Sequence, residues 1–411
     1  FVGDELPSAH HWQQALATST FPVLIPLSNF SGAGPRPVNE SRALSYSGTY
    51  DMAGNAREWT STAIGDEMII LGGNWNDPYY IAGMADASAP PLDRSPGNGF
   101  RLANTYDSAE ARLVVSAPIT TRSTASSPDQ RQPVDDEIYA AYSRVFDYDR
   151  SPLNERVEEI DATRLWRREI ITFDSAYGED RVILHLYLPT SGSAPFQTVV
   201  YWSGWDTFRL DDVDHYFARQ VDFIVKSGRA LAFPVLRGTF ARRIGDARAP
   251  PAFGTAAWRD NTIDAVKDIR RTIDYLEARA DVDTSSLAYF GYSWGGVNAP
   301  IALAQEDRFE VAIIDIGLMP AMPATPEVDP LHSLSRIDVP SLMLSGEFDP
   351  MVTRADAEKY FEMIGVPSEH KRHVIALGGH YVPRELLIRE SLAWLDRYAG
   401  PTGFAIPTYG Q

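Results

Sequence analysis

From residue 134 onward the chain predicts an α/β fold with a mostly parallel sheet, and before that an irregular α+β module. Three observations carry this expectation. After about residue 198, short apolar runs of strand length alternate with amphipathic helices, the pattern of a parallel sheet covered on both faces. Residues 1 to about 104 are instead rich in Gly, Asn, Trp and Pro, with few long periodic segments. Between them, 105–133 includes TTRSTASSPDQRQP, which lacks hydrophobic periodicity and is dense in turn formers, so it reads as a linker. The expected division is therefore 1–104, 105–133 and 134–411.

Taken in order, 7–17 is the one clear helix of the first module. In the second, the acidic, aromatic stretch DDEIYAAYSRVFDYD is helix-like. The alternating runs 166–173 and 182–188, joined by the turn-like SAYGEDR, make an antiparallel hairpin. Strands then follow at 198–202, 230–236, 287–290, 311–316, 341–345 and 373–376. Helices near 213–226, 262–278, after residue 293, 354–364 and 384–398 separate most of them.

Composition limits function. With 411 residues, 44% hydrophobic and 22% charged, the chain is ordinary for a soluble protein of two or three domains. A formal net charge of -18 repels a phosphate backbone, so no nucleic-acid partner is expected. There is no cysteine, which removes disulfides, thiolate metal sites and cysteine nucleophiles. No apolar run is long enough to cross a bilayer, so no membrane partner is expected in this chain. It opens on Phe1 in what reads as the middle of a domain, so further sequence upstream is expected and the cellular location is left open.

The stretch LAYFGYSWGGVNAP, 287–300, places Ser293 between a short apolar strand and a helix. Glycines at 291 and 295 permit the sharp bend that would expose a strained serine, a nucleophile elbow. Serine is a weak nucleophile at neutral pH. It needs an imidazole to take its proton and a carboxylate to hold that imidazole in the right tautomer. Asp349 follows PSLMLSGEF and His380 follows HVIALGG, so all three residues leave the ends of expected strands, where an open parallel sheet gathers its loops. The rivals are Glu347 and Asp315 for the acid, and His370 and His373 for the base. Asp315 lies inside an apolar run, and the two histidines precede or begin a strand. The N–H groups of Trp294, directly after the serine, and Trp205, in the loop after TVVYW, are the candidate oxyanion donors. Trp202, Trp205, Trp258 and Trp294 are candidates to line a substrate pocket, although tryptophan is more often simply core. Arg237, in the run 237–243 after another strand, is a candidate to hold a polar substrate group, with a solvated basic loop as the alternative.

The helix DAVKDIRRTIDYLEARADVD, the elbow FGYSWGG, LSGEFDP and GGHYVP together resemble the α/β-hydrolase superfamily, particularly its dienelactone hydrolase, acetyl xylan esterase and prolyl-oligopeptidase-like branches. The resemblance implies hydrolysis of a small-molecule, glycan or peptide ester, or a related acyl bond, through an acyl-serine and without a cofactor. In the first module, ELPSAHHWQQAL, YDMAGNAREWT, ILGGNWND and NGFRLA resemble the second half of a sulfatase-modifying factor (formylglycine-generating enzyme) domain, which implies a C-type-lectin-like fold. That family uses its own cysteines to hold copper. Their absence here removes the oxidation chemistry. The family also binds calcium near an Asn-Xaa-Xaa-Glu-Trp motif, which Asn55 and Glu58 match; oxygen ligands suit Ca²⁺, and hydrogen bonding within a loop-rich fold is the alternative. The order of the two modules resembles the tail of bacterial proteins that begin with a serine/threonine kinase domain.

Overall fold

The computed structural model of the chain describes residues 5–16, 24–30, 32–45, 47–77, 82, 88–104, 131–245, 250–317, 324–347, 349, 352, 354–376 and 380–402. The chain packs as two compact units, Phe1–Ser123 and Thr124–Gln411. Most of the expected linker, 105–130, lies outside the described residues.

In the amino-terminal unit, helix α1 (Ala9–Leu16) buries Ala9, Trp12 and Leu16 against a four-stranded sheet of order β3-β2-β1-β4. Its strands are β1 (Arg57–Ile64), β2 (Glu67–Leu71), β3 (Ser88–Ala89) and β4 (Asn98–Phe100). The sequence reading missed this sheet. Strand β1 does alternate buried and less buried positions from Arg57 to Thr62, but its buried face is the polar set Glu58, Thr60 and Thr62 rather than Val and Ile, so no apolar period marks it.

The carboxy-terminal unit holds a nine-stranded sheet of order β13-β12-β11-β10-β8-β9-β7-β6-β5. The hairpin forms as expected from β6 (Trp166–Asp174) and β7 (Arg181–Pro189), and an unforeseen edge strand β5 (Arg156–Ala162) pairs antiparallel with β6. Strand β5 is exposed along nearly its whole length, so it carries no apolar period to read. The remaining strands, β8 (Phe196–Trp202), β9 (Ala230–Val235), β10 (Val282–Tyr292), β11 (Val311–Asp315), β12 (Ser341–Gly346) and β13 (Lys371–Ala376), run parallel to one another. Strand β9 meets β7 antiparallel.

Helices cover both faces, which is why the parallel strands are apolar throughout. On one side α3 (Ala256–Glu277) and α4 (Trp294–Gln305) bury Val266, Ile269, Ile273 and Ile301. On the other, α6 (Arg384–Tyr398) buries Leu387, Trp394 and Leu395. Two further helices are α2 (Asp136–Ser143) and α5 (Arg354–Glu362). The side chain of Asp135 caps α2 by accepting from the Ile138 N–H, and that of Thr255 caps α3 by accepting from the Trp258 N–H. No helix among the described residues is long and apolar enough to cross a membrane.

Candidate active site

Strand β10 ends at Tyr292 and α4 begins at Trp294, leaving Ser293 as the hinge with φ 50° and ψ −104°. A positive φ is costly for a residue with a Cβ and persists only when the surroundings over-determine it. Here they do. The Ser293 N–H donates to the Asp315 carbonyl at 2.8 Å, and its own carbonyl accepts from Val297 N–H at 2.8 Å. The flanking glycines answer to close packing: a Cβ on Gly291 would lie 2.4 Å from the Gly295 carbonyl oxygen, and one on Gly295 would lie 2.0 Å from that of Trp202. The sharp bend therefore presses against the end of β8.

Ser293 Oγ lies 2.8 Å from His380 Nε2, and His380 Nδ1 lies 2.9 Å from Asp349 Oδ2. The carboxylate can only accept, so Nδ1 carries the ring proton and Nε2 is left to accept from the serine hydroxyl. The Asp349 side chain is fully shielded from solvent, whereas the His380 ring keeps some exposure. A residue before β11, one after β12 and one after β13 thus meet at the carboxyl edge of the sheet. The rivals are placed elsewhere. Glu347 is part-exposed and pairs with Arg354 at 3.6 Å. His370 Nδ1 lies 3.2 Å from the Tyr398 hydroxyl, and His373 Nε2 lies 2.5 Å from Ser345 Oγ. Asp315 is buried beneath the elbow with Oδ1 unpartnered, and burial pushes its carboxyl up to about 8.

A cavity of about 310 Å³ opens over Ser293 and His380. Its wall is aromatic, with Trp205, Tyr216, Phe253, Tyr292, Trp294 and Tyr381, and Asp206 supplies the one carboxylate. Among the described lining residues there is no Lys or Arg. Trp294, at the start of α4, and Trp205 both line this cavity, and the main-chain N–H of neither donates to an acceptor among the described residues.

Three expected substrate residues sit apart from the cavity. Trp202 is fully buried and packs edge-on against the Trp294 ring at 5.1 Å, because the β8 side chain at that position points into the helix layer. Trp258 is 3% exposed and lies behind Phe253 and Trp205, with ring centroids at 4.6 and 6.0 Å. Arg237 is turned away to Asp264 at 3.2 Å and stacks over Tyr177 at 4.9 Å. Its neighbours are no free basic loop either. Arg242 is buried on Asp268 and Asp180 at 2.6 and 2.7 Å, and Arg243 pairs with Asp211. The sequence reading also missed Tyr292 and Tyr381, whose positions next to Ser293 and His380 were the available signal. Tyr216, from the short helix Asp214–Tyr216, and Phe253, from a turn, have no such marker.

The calcium expectation at Asn55 and Glu58 does not fit the donors around them. Both Glu58 oxygens are held by Arg101, at 2.5 and 2.6 Å, and Trp12 Nε1 donates to one of them at 2.6 Å. Asn55 Oδ1 accepts from the Arg36 N–H at 2.7 Å and from Asn29 Nδ2 at 3.2 Å, while its Nδ2 donates to the Arg36 carbonyl at 3.1 Å. A cation there would face a guanidinium and N–H groups already aimed at its ligands. The two side chains tie the loops of the fold together. Among the described residues no group of three or more His, Asp and Glu side chains is placed to hold a metal.

Comparison with known proteins adds to this geometry. Residues 241–325, which include the elbow, match the prolyl oligopeptidase family. The carboxy-terminal unit is a serine hydrolase of the α/β-hydrolase type. Among solved structures the hydrolase unit is similar in fold to the acetyl xylan esterase of Paenibacillus sp. R4, at 14% identity and TM-score 0.52, with 65% of this chain and 96% of that one covered. It is likewise similar to acetyl xylan esterase 1 of Thermoanaerobacterium sp. JW/SL YS485, at 14% identity and TM-score 0.51, with 64% and 94% covered. A search of curated proteins found no match to the chain.

Proposed function

We propose that the hydrolase unit cleaves carboxylic esters through an acyl-enzyme. Ser293 attacks the acyl carbonyl as His380 takes its proton, and His380 then returns a proton to the leaving alcohol. Asp349 holds the ring and stabilises its cation, while the Trp294 and Trp205 N–H groups face the developing oxyanion. Water, activated by the same imidazole, releases the acid. The observation that carries this reading is the unbroken chain from Ser293 Oγ through His380 to Asp349, at 2.8 and 2.9 Å. The aromatic wall and the lone carboxylate of Asp206 favour an uncharged acyl group, because an anionic one would meet no cation in the described lining. The ester itself is that of a small molecule, a glycan or a peptide.

The amino-terminal unit serves in this reading as a non-catalytic module of the formylglycine-generating-enzyme type with a C-type-lectin-like fold, in a module order that resembles the tail of bacterial proteins beginning with a serine/threonine kinase domain. What supports it is the run of four motifs in order, together with a chain that contains no cysteine for the oxidase chemistry.

Labelling the purified protein with a fluorophosphonate and mapping the adduct tests the proposal. Modification at Ser293 and loss of p-nitrophenyl acetate hydrolysis are expected. A folded protein that takes no label would make the unit a silent binding appendage instead.

A further inference from the structure

The cavity over Ser293 holds side chains to which the steps of acyl transfer give no task. Its rings include two groups: Trp205 with Phe253, centroids 5.3 Å apart, and Tyr216, Tyr292 and Tyr381, linked at 6.2 and 6.1 Å. Phe253 and Tyr381 remain 37% and 45% exposed, so the lining carries aromatic surface that the fold itself does not cover. Exposed rings gathered at a cleft are surface for a ligand rather than core.

Asp206, directly after Trp205, is exposed at the same cavity, and no Lys or Arg among the described residues pairs with it. Burial, and then the charge of Asp206, push the Tyr216 phenol up, which places that charge close to the aromatic wall. Tyr216 therefore stays neutral. A neutral group laid over Asp206 would take water from the carboxylate without replacing it, and an anion would be repelled. A cation gains from the carboxylate and from each ring face it meets. The net charge of -18 also draws a cation towards the chain. A primary ammonium needs acceptors for its three N–H groups, whereas a fully alkylated one needs none and is held well by ring faces beside a carboxylate.

We propose that the alcohol portion of the substrate carries a quaternary ammonium group, held by Asp206 and the aromatic rings around it, so that choline esters represent the substrate class. The proposal rests on the esterase reading and deepens it. Acetylcholine and 3,3-dimethylbutyl acetate are nearly identical in shape and differ in the charge, so the ratio of their kcat/KM values tests it. The parent should favour acetylcholine by at least about tenfold. That preference should fall to near one in Asp206→Asn, which removes the charge, and should weaken in Phe253→Leu, which keeps apolar bulk without a ring. Comparing two esters within each variant cancels any loss common to both. A parental ratio near one, or a ratio that survives both substitutions, while p-nitrophenyl acetate is still hydrolysed, would overturn the ammonium site and leave the esterase reading standing. Absence of p-nitrophenyl acetate hydrolysis would instead sink the esterase reading, and titration with tetramethylammonium then decides the site. Saturable quenching of tryptophan fluorescence that is lost in Asp206→Asn would support it. No response, or an equal response to neopentyl alcohol, would overturn it.

Discussion

Glu58 in the amino-terminal unit and Asp349 in the carboxy-terminal unit are both buried carboxylates, 8% and 5% exposed, yet their surroundings give them opposite prospects. Glu58 faces Arg101, a permanent cation, with Trp12 completing its hydrogen bonds. Such a carboxylate is committed to three hydrogen bonds from two distant side chains, so it fastens loops. Asp349 faces an imidazole, whose charge is free to change during a reaction, and that ring in turn reaches a strained serine. A buried acid with a permanent cation is a structural tie, while one beside a titratable base can support chemistry. Asp315 makes a third case, buried without either partner and held largely protonated near neutral pH.

The largest effect that would break this contrast is at the serine. Ser293→Ala should lower p-nitrophenyl acetate turnover by about 10⁴–10⁶-fold with the fold intact, as measured by steady-state kinetics beside circular dichroism. A variant that hydrolyses the ester at the parental rate would remove the chemistry from Asp349's side of the comparison.

Asp349→Asn should cost about 10³–10⁴-fold in turnover with little change in KM, because the amide cannot hold His380 in the tautomer that accepts from the hydroxyl.

Asp315 sharpens the contrast through pH. Burial raises its folded-state pKa from 3.8 to about 8, so its protonation favours the folded state at low pH. That contribution is fully present below about pH 4 and is lost as pH rises towards 8. Asp315→Asn should therefore gain stability relative to the parent across this window, on the order of 5 kcal/mol by its upper end. Urea melts at about pH 4.5 and about pH 8.5, close to the two limits of the window, would show the difference, and equal gains at both would refute it.

The smallest expected effect is in the other unit. Glu58→Gln leaves the Arg101 guanidinium partly unsatisfied and should destabilise that unit by about 1–3 kcal/mol, with ester hydrolysis unchanged. Hydrogen exchange of the β1 and β2 amides is the readout.

The proposed catalytic residues were legible because each leaves an apolar strand within a few residues. A strand end in a parallel sheet defines an edge of the molecule before any contact is known. The glycines around Ser293 were legible for a similar reason, since a bend between strand and helix is a local event. What could not be read was which way a tryptophan turns. Trp202 and Trp205 are three residues apart, yet one is sealed under Trp294 and the other lines the cavity. Tyr216, on a short helix, and Phe253, in a turn, reach that cavity from positions far from the serine in sequence. The spacing of Asn55 and Glu58 matched a calcium motif, but Arg101, 43 residues further along, decides what Glu58 does.

By itself, then, the sequence determined the α/β layering of the second unit, the order of serine, acid and base along it, and the absence of thiol chemistry. These follow from the period of apolar residues and from residue identity, which are properties of short stretches. Only the tertiary structure decided which carboxylate meets His380 and which aromatic rings wall the cavity. Those outcomes depend on contacts between distant segments, where burial and the charge of the facing group fix what a side chain can do.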